Sequence, residues 1–188
     1  MFRSARLGLL LATLLAVSGV RAGPAAENLA AAVRFATISH QDRAQIDAQA
    51  FLGLHEFLRQ AYPRVFASLE VQVINDFSLV LTWAGSDASA KPVLFTAHMD
   101  VVPVEPVTEA DWTHPAFAGV IENGVIYGRG TLDDKLGVIS LLEAVERLLG
   151  QGYVPARTVV LAFGHDEEVS GLAGAAEIAR YLKAEGFY

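Results

Sequence analysis

The 188-residue chain contains no cysteine. That excludes disulfides, thiolate nucleophiles and thiolate zinc sites together. Basic residues are also scarce, with 14 Lys and Arg against 21 Asp and Glu. A formal charge of −7 makes nucleic acid and anionic membrane poor partners. No G-x-S-x-G elbow occurs anywhere in the sequence, so the hydrolase serine on a strand-to-helix turn is missing. The "HEFLR" stretch opens like a helical zinc motif, but Arg59 stands where its second histidine belongs, which predicts His55 as a helix-edge residue. Internal repeats are absent too.

The longest apolar run, Leu7 to Val20, is 14 residues, short of the ~20 that span a bilayer. It follows Arg3 and Arg6 and precedes the small-x-small site Val20-Arg21-Ala22. Residues 1–22 are therefore expected to be a secretory signal cleaved after Ala22, which places residues 23–188 in the periplasm or outside the cell. Removing the leader takes away three arginines and no acid, so the remainder is more acidic still, at −10. No membrane contact is expected after cleavage.

An apolar fraction of 53% is ample for a packed core. "PAAENLAAAVRFATIS" and "AQIDAQAFLGLHEFLRQAYP" carry helical spacing, the second with Ile46, Ala50, Leu54, Phe57 and Ala61 on one face. Pro63 forbids its continuation. "SLEVQVI" and "FSLVLTWAG" predict a hairpin turning at Asn75-Asp76, and "GVIENGVIYGRG" a shorter one at Asn123-Gly124. "PVLFTAHMDVVPV" and "RTVVLAFG" read as buried strands. "LGVISLLEAVERLLGQG" is an amphipathic helix with Leu136, Ile139, Leu142, Val145 and Leu149 inward, and "GLAGAAEIARYLKAEG" is a second. Strands alternating with helices predict an α/β, three-layer sandwich with a largely parallel sheet. The last strand and helix are expected to lack neighbours, leaving an exposed edge.

Ligands of such sheets gather beyond the carboxyl ends of the strands. His98 and Asp100 follow one strand, and His165, Asp166, Glu167 and Glu168 follow another. Adjacent carboxylates disfavour one another's ionisation unless a cation absorbs the charge. Two positions apart on a strand, His98 and Asp100 point to one side, which suits either a metal-bound imidazole backed by a carboxylate or a buried hydrogen-bonded pair. Asp133 and Asp134 precede a helix, where aspartate is a favoured N-cap. "GRG" before them is not a phosphate loop, because two aspartates at the helix mouth would repel phosphate. Ser170 is a candidate cap for the last helix, which leaves the acidic run unexplained. Adjacent glutamates allow one to hold a divalent ion while the other takes a proton from water.

Together, "TAHMDVVPV", "DWTHPAFAG", "YGRGTLDDK" and "FGHDEEVSG" resemble the aminoacylase and carboxypeptidase family of dinuclear zinc hydrolases. The "GTLDDK" and "GHDEEVSG" forms look closest to its carboxypeptidase S and N-fatty-acyl-amino-acid hydrolase branch. The resemblance covers roughly residues 25 to 185 and implies a zinc-exopeptidase-like catalytic domain. It implies that His98 binds one metal, Glu168 the other, and Asp133 bridges them. Asp100 would orient His98, and Glu167 would be the general base and acid. Two divalent ions are implied, zinc first, with cobalt or manganese as alternatives that the same donors accept. The implied substrate is a small peptide or an N-acyl amino acid. A cis peptide between Asp133 and Asp134 is implied as well. In the family a further acidic ligand, a final histidine and an inserted lid domain that mediates dimerisation follow the glutamate pair. Residues 23–188 are thus expected to be the N-terminal part of a metallopeptidase catalytic domain, inactive alone and without the surface for dimerisation.

Overall fold

In a computed structural model, residues 22–187 are described, so the expected leader up to Arg21 lies outside the described residues. Helix α1, Pro24–Val33, opens with proline at its first turn, where a missing N–H costs nothing. Helix α2, Ala48–Ala61, is capped by Asp47, whose carboxylate accepts from the backbone of Gln49 and Ala50. It stops before Pro63, as expected, but Pro63 immediately starts a further short helix, α3, Pro63–Ser68. Strands β1, Glu70–Ile74, and β2, Ser78–Trp83, turn through Asn75 and Asp76, both with positive φ. Strand β3 is Val93–His98. Strands β4, Val120–Glu122, and β5, Val125–Tyr127, form the predicted small hairpin, with Asn123 and Gly124 at φ 51° and 79° as a two-residue primed turn requires. Helix α4, Lys135–Gly150, strand β6, Val159–Gly164, and helix α5, Ala175–Ala184, complete the order.

The main sheet runs β1-β2-β6-β3. The α/β class holds, but the sheet is mostly antiparallel, with β3–β6 as the one parallel pair among the described residues. The cause is local. A tight turn can only join antiparallel strands, and β2 then lies against β6 in the opposite sense. Only β3 and β6 are linked through a helix, α4.

Side chains alternate across the sheet and build two cores. Leu79, Leu81, Leu161 and Phe163 face a cluster completed by α1, α2, α3 and α4. Val80, Val160 and Ala162 face Ile178 and Leu182 of α5. Helices on both faces make the three layers. Strand β6 is interior, contrary to the expected exposed last strand, and the edges are β1 and β3.

Helix α2 sits in a different rotation from the one its spacing predicts, and α4, whose Ile139, Leu142 and Val145 are buried as expected, departs at its first turn. On α2 the buried stripe is Phe51, Leu54, His55 and Leu58, and Ile46 lies before the helix. His55 is therefore in the core rather than at a helix edge, with its Nε2 2.9 Å from the carbonyl of Phe77. Burial holds its pKa below the usual value. On α4, Leu136 is 40% exposed while Lys135 is buried at 1%. The lysine ammonium donates to the carbonyls of Ala32 and Phe35 at the end of α1, and this contact sets how α4 enters the core.

Candidate functional site

The parallel pair positions the site. Strand β3 ends at His98 opposite Gly164, the last residue of β6. Both chains then leave the sheet at the same end. Met99 N–H still donates to the carbonyl of Gly164, so the two exits stay side by side.

Asp100 is fully buried at this point. One carboxylate oxygen lies 3.4 Å from Nδ1 of His98 and also accepts from Glu167 N–H, at 3.2 Å. The other accepts from Glu168 N–H at 3.1 Å. A single side chain thus orients the histidine and fixes the backbone of the glutamate pair. Burial opposes its charge, but the His98 imidazole and these donors outweigh that and hold its pKa low.

Asp133 and Asp134 divide their work. Asp134 is the N-cap of α4 and accepts from Gly137 N–H at 3.1 Å, so the helix-capping reading is correct for it. Asp133 instead turns outward, with Oδ1 2.9 Å from Nε2 of His98. The peptide between them is cis. Ligand atoms of His98, Asp133 and Glu168 all lie within 4.8 Å of one another. Glu167 stands beside them, its Oε2 3.8 Å from Nε2 of His98.

Crowded charge shows in the titration of these groups. Burial raises the pKa of Glu168, and the nearby Asp133 carboxylate adds to it. For His98, burial disfavours the cation, but Asp100 and Asp133 overcome it and raise the pKa to about 9. Lys135, next to the aspartate pair, is pulled down to about 7 by burial.

All five expected site residues therefore meet in one place. The rest of the acidic run does not belong to it. His165 is fully buried, with Nδ1 2.7 Å from Ser78 Oγ, and burial lowers its pKa. Asp166 accepts from the backbone of Ala173 and Gly174 at the start of α5. Ser170, expected to cap α5, has φ 128° and ends a short 3-10 turn instead. Sequence reading missed the reach of Asp100 to Glu167 and Glu168. Its complete burial amid donors from another loop depends on folding, and no local pattern announces it.

The donor set suits a divalent ion of intermediate softness. One neutral imidazole and two carboxylates are common zinc, manganese or cobalt ligands. The backbone carbonyl of Asp100 at 3.2 Å, with its buried carboxylate at 3.4 Å, engages Nδ1 of the imidazole and fixes its tautomer, as such ligands ordinarily need.

A family model for peptidase family M20/M25/M40 matches residues 94–188. Among curated proteins, the chain is 46% identical over 159 residues to the probable carboxypeptidase S-like 2 of Dictyostelium discoideum, covering 84% of this chain and 30% of that one. It is 42% identical over 162 residues to the N-fatty-acyl-amino acid synthase/hydrolase PM20D1 of Mus musculus, covering 85% and 31%. It is 39% identical over 164 residues to carboxypeptidase S of Saccharomyces cerevisiae, covering 83% and 28%. The chain thus spans about three tenths of the length of these relatives. Among solved structures, human carnosine dipeptidase 1 superposes with a TM-score of 0.69 at 19% identity, covering 87% of this chain and 36% of that one.

Proposed function

The chain belongs to peptidase family M20/M25/M40, and from that premise we propose that it carries the metal-binding part of a hydrolase of peptide or N-acyl-amino-acid amide bonds. The observation that supports this best is the convergence of His98, Asp133 and Glu168 within 4.8 Å, with Asp100 behind them. These three residues would hold the metal, with Asp133 shared where two ions are bound and zinc the first candidate. A divalent ion there would polarise the amide carbonyl and make a bound water acidic at neutral pH.

This chain's own residues supply the remainder. Asp100 keeps Nδ1 of His98 engaged, which leaves Nε2 facing Asp133 and Glu167. It also fixes the glutamate turn through two backbone N–H groups. Glu167 is exposed beside the donors, and its carboxylate would take a proton from the attacking water and return it to the leaving amine nitrogen. Hydrolysis of the amide then gives a carboxylic acid and a free amine.

Two ions sharing Asp133 would each keep one private donor from the described residues, fewer than the three protein ligands usual for catalytic zinc. We therefore expect metal binding without turnover from this chain alone. Residues 1–22 as a cleaved secretory leader belong to the same proposal, as do residues 23–188 as part of a catalytic domain. Incubating the zinc-loaded chain with a dipeptide and with N-acetyl-L-leucine tests this reading. Bound zinc with no product above background supports it. Hydrolysis that survives a chelator and is lost on Glu167→Gln would replace it with a metal-independent carboxylate enzyme.

A further inference from the structure

Behind the glutamate turn lies a cavity of about 450 Å³ that none of the metal donors lines. One wall is the loop between α1 and α2, with His40, Gln41 and Ile46. The other is the stretch from β6 to α5, with His165, Val169 and Leu172. Its size is that of a small-molecule site. Leu172, in the second wall, is 69% exposed.

His165 makes this cavity more than a gap. The residue is fully buried, and its Nε2 is shut off from solvent without a hydrogen-bond partner. The rings of Phe51 and Phe77 meet the imidazole at 87° and 76° and offer no acceptor oxygen. Its Nδ1 lies 2.7 Å from Oγ of Ser78, which is also fully buried. Among the described residues, that hydroxyl has no other hydrogen-bond partner. A buried hydroxyl with one partner donates to it, since otherwise its own proton would have no acceptor. Nδ1 is therefore the acceptor. Burial holds the His165 pKa below its usual value and keeps the ring neutral, so its one hydrogen sits on Nε2. A buried N–H is costly to leave unpaired, and this one faces a cavity rather than an acceptor.

The charged groups of the cavity are already engaged. Arg43 donates to Asn75 and Asp76, at 2.9 Å each. Asp166 accepts from Ala173 and Gly174 N–H. What remains open is an uncharged donor, with Asp166 and the apolar Ile46, Val169 and Leu172 in the same walls. The Asp166 carboxylate disfavours an anion there, and a ligand without an acceptor would leave Nε2 unpaired. A neutral carbonyl on an apolar body satisfies both conditions.

We propose that this cavity is a second binding site, apart from the metal donors, for a small neutral amide carrying an apolar group. Its carbonyl oxygen accepts from Nε2–H of His165, and its apolar group lies against Ile46, Val169 and Leu172. Val169 and Ser170 directly follow Glu168, so the occupant rests against the turn that carries the glutamate pair.

Nitrogen-15 NMR of the zinc-free full chain, titrated with isobutyramide, tests this independently of the metal reading. The His165 Nε2–H resonance is expected to shift and saturate with a Kd on the order of 1 mM. Isobutyrate, which has the same shape and a charge, is expected to bind about tenfold or more weakly. His165→Phe keeps the ring and removes the donor. Isobutyramide affinity, followed through the backbone amides of Val169 and Ser170, is expected to fall about tenfold in that variant. No saturable shift in the wild type overturns the proposal, and so does equal affinity in His165→Phe. Isobutyrate binding as tightly as the amide overturns it, as does a ring proton found on Nδ1. If His165→Phe does not fold, Ala173→Leu, which fills the cavity from its wall, decides. Lost binding then supports the proposal and unchanged binding overturns it.

Discussion

Asp100 gathers three donors from separate parts of the chain: the imidazole of His98 and the backbone N–H groups of Glu167 and Glu168. Removing it would leave two part-buried N–H groups without acceptors. Asp100→Ala is expected to destabilise the fold by ~3 kcal/mol, measured by urea denaturation. The same change frees the imidazole and the glutamate turn, so zinc affinity should fall by roughly 10–100-fold. His98 sets the pH dependence. Its pKa rises from 6.5 to about 9 in the metal-free fold, because Asp100 and Asp133 favour the cation despite burial. The stability from that charge is full below pH 6.5 and is lost as pH rises through 9. A metal must displace the same proton. Zinc affinity should therefore weaken as pH falls from 9 toward 7, by up to about tenfold per unit, with release of roughly one proton at neutral pH. Calorimetry in buffers of different ionisation enthalpy measures that proton, and uptake without release would contradict the assignment of His98.

Between elements, Asp166 ties the end of β6 to the start of α5. Its carboxylate accepts from Ala173 and Gly174, and an added Cβ at Gly174 would lie 2.4 Å from Asp166 Oδ1. Asp166→Ala should cost about 1–2 kcal/mol, because two backbone N–H groups leading into α5 lose their acceptor. Amide exchange should speed first in α5, with zinc binding retained. Glu146 does the same for α3 by accepting from Arg64 and Val65. The expected cap of α5, Ser170, instead ends the short turn before it, and among the described residues no side chain caps the Gly174 N-terminus of the helix. By contrast, both hairpin turns were legible, since Asn-Asp and Asn-Gly carry the required backbone freedom within two residues. The site's neighbourhood was legible for a related reason, since its residues follow strands or precede a helix in short runs, but the separate roles of His98, Asp133, Glu167 and Glu168 came from the resemblance alone. The rotation of α2 and the first turn of α4 were not legible. Small and large apolar residues fill both candidate faces of α2, and packing chose Phe51 and Leu58. On α4 the choice depended on Lys135 finding the carbonyls of Ala32 and Phe35, about 100 residues away in the chain.

For the whole molecule, the sheet direction and its edges follow from tertiary pairing. The β1–β2 hairpin could be read locally, but its placement against β6 could not. Strand β3 is left as an edge, with Leu94 and Phe95 49% and 45% exposed. An apolar edge strand is a template for further pairing. Phe95→Lys should therefore suppress concentration-dependent light scattering without lowering the melting temperature, and unchanged scattering would place the association elsewhere. The central claim, that His98, Asp133 and Glu168 form one metal-binding centre, is tested most directly by zinc stoichiometry and affinity of the full chain beside Asp133→Ala. Tight uptake by the wild type that is abolished by Asp133→Ala is the expected result. Equal uptake by both proteins would contradict the claim and leave the convergence of these side chains without a metal.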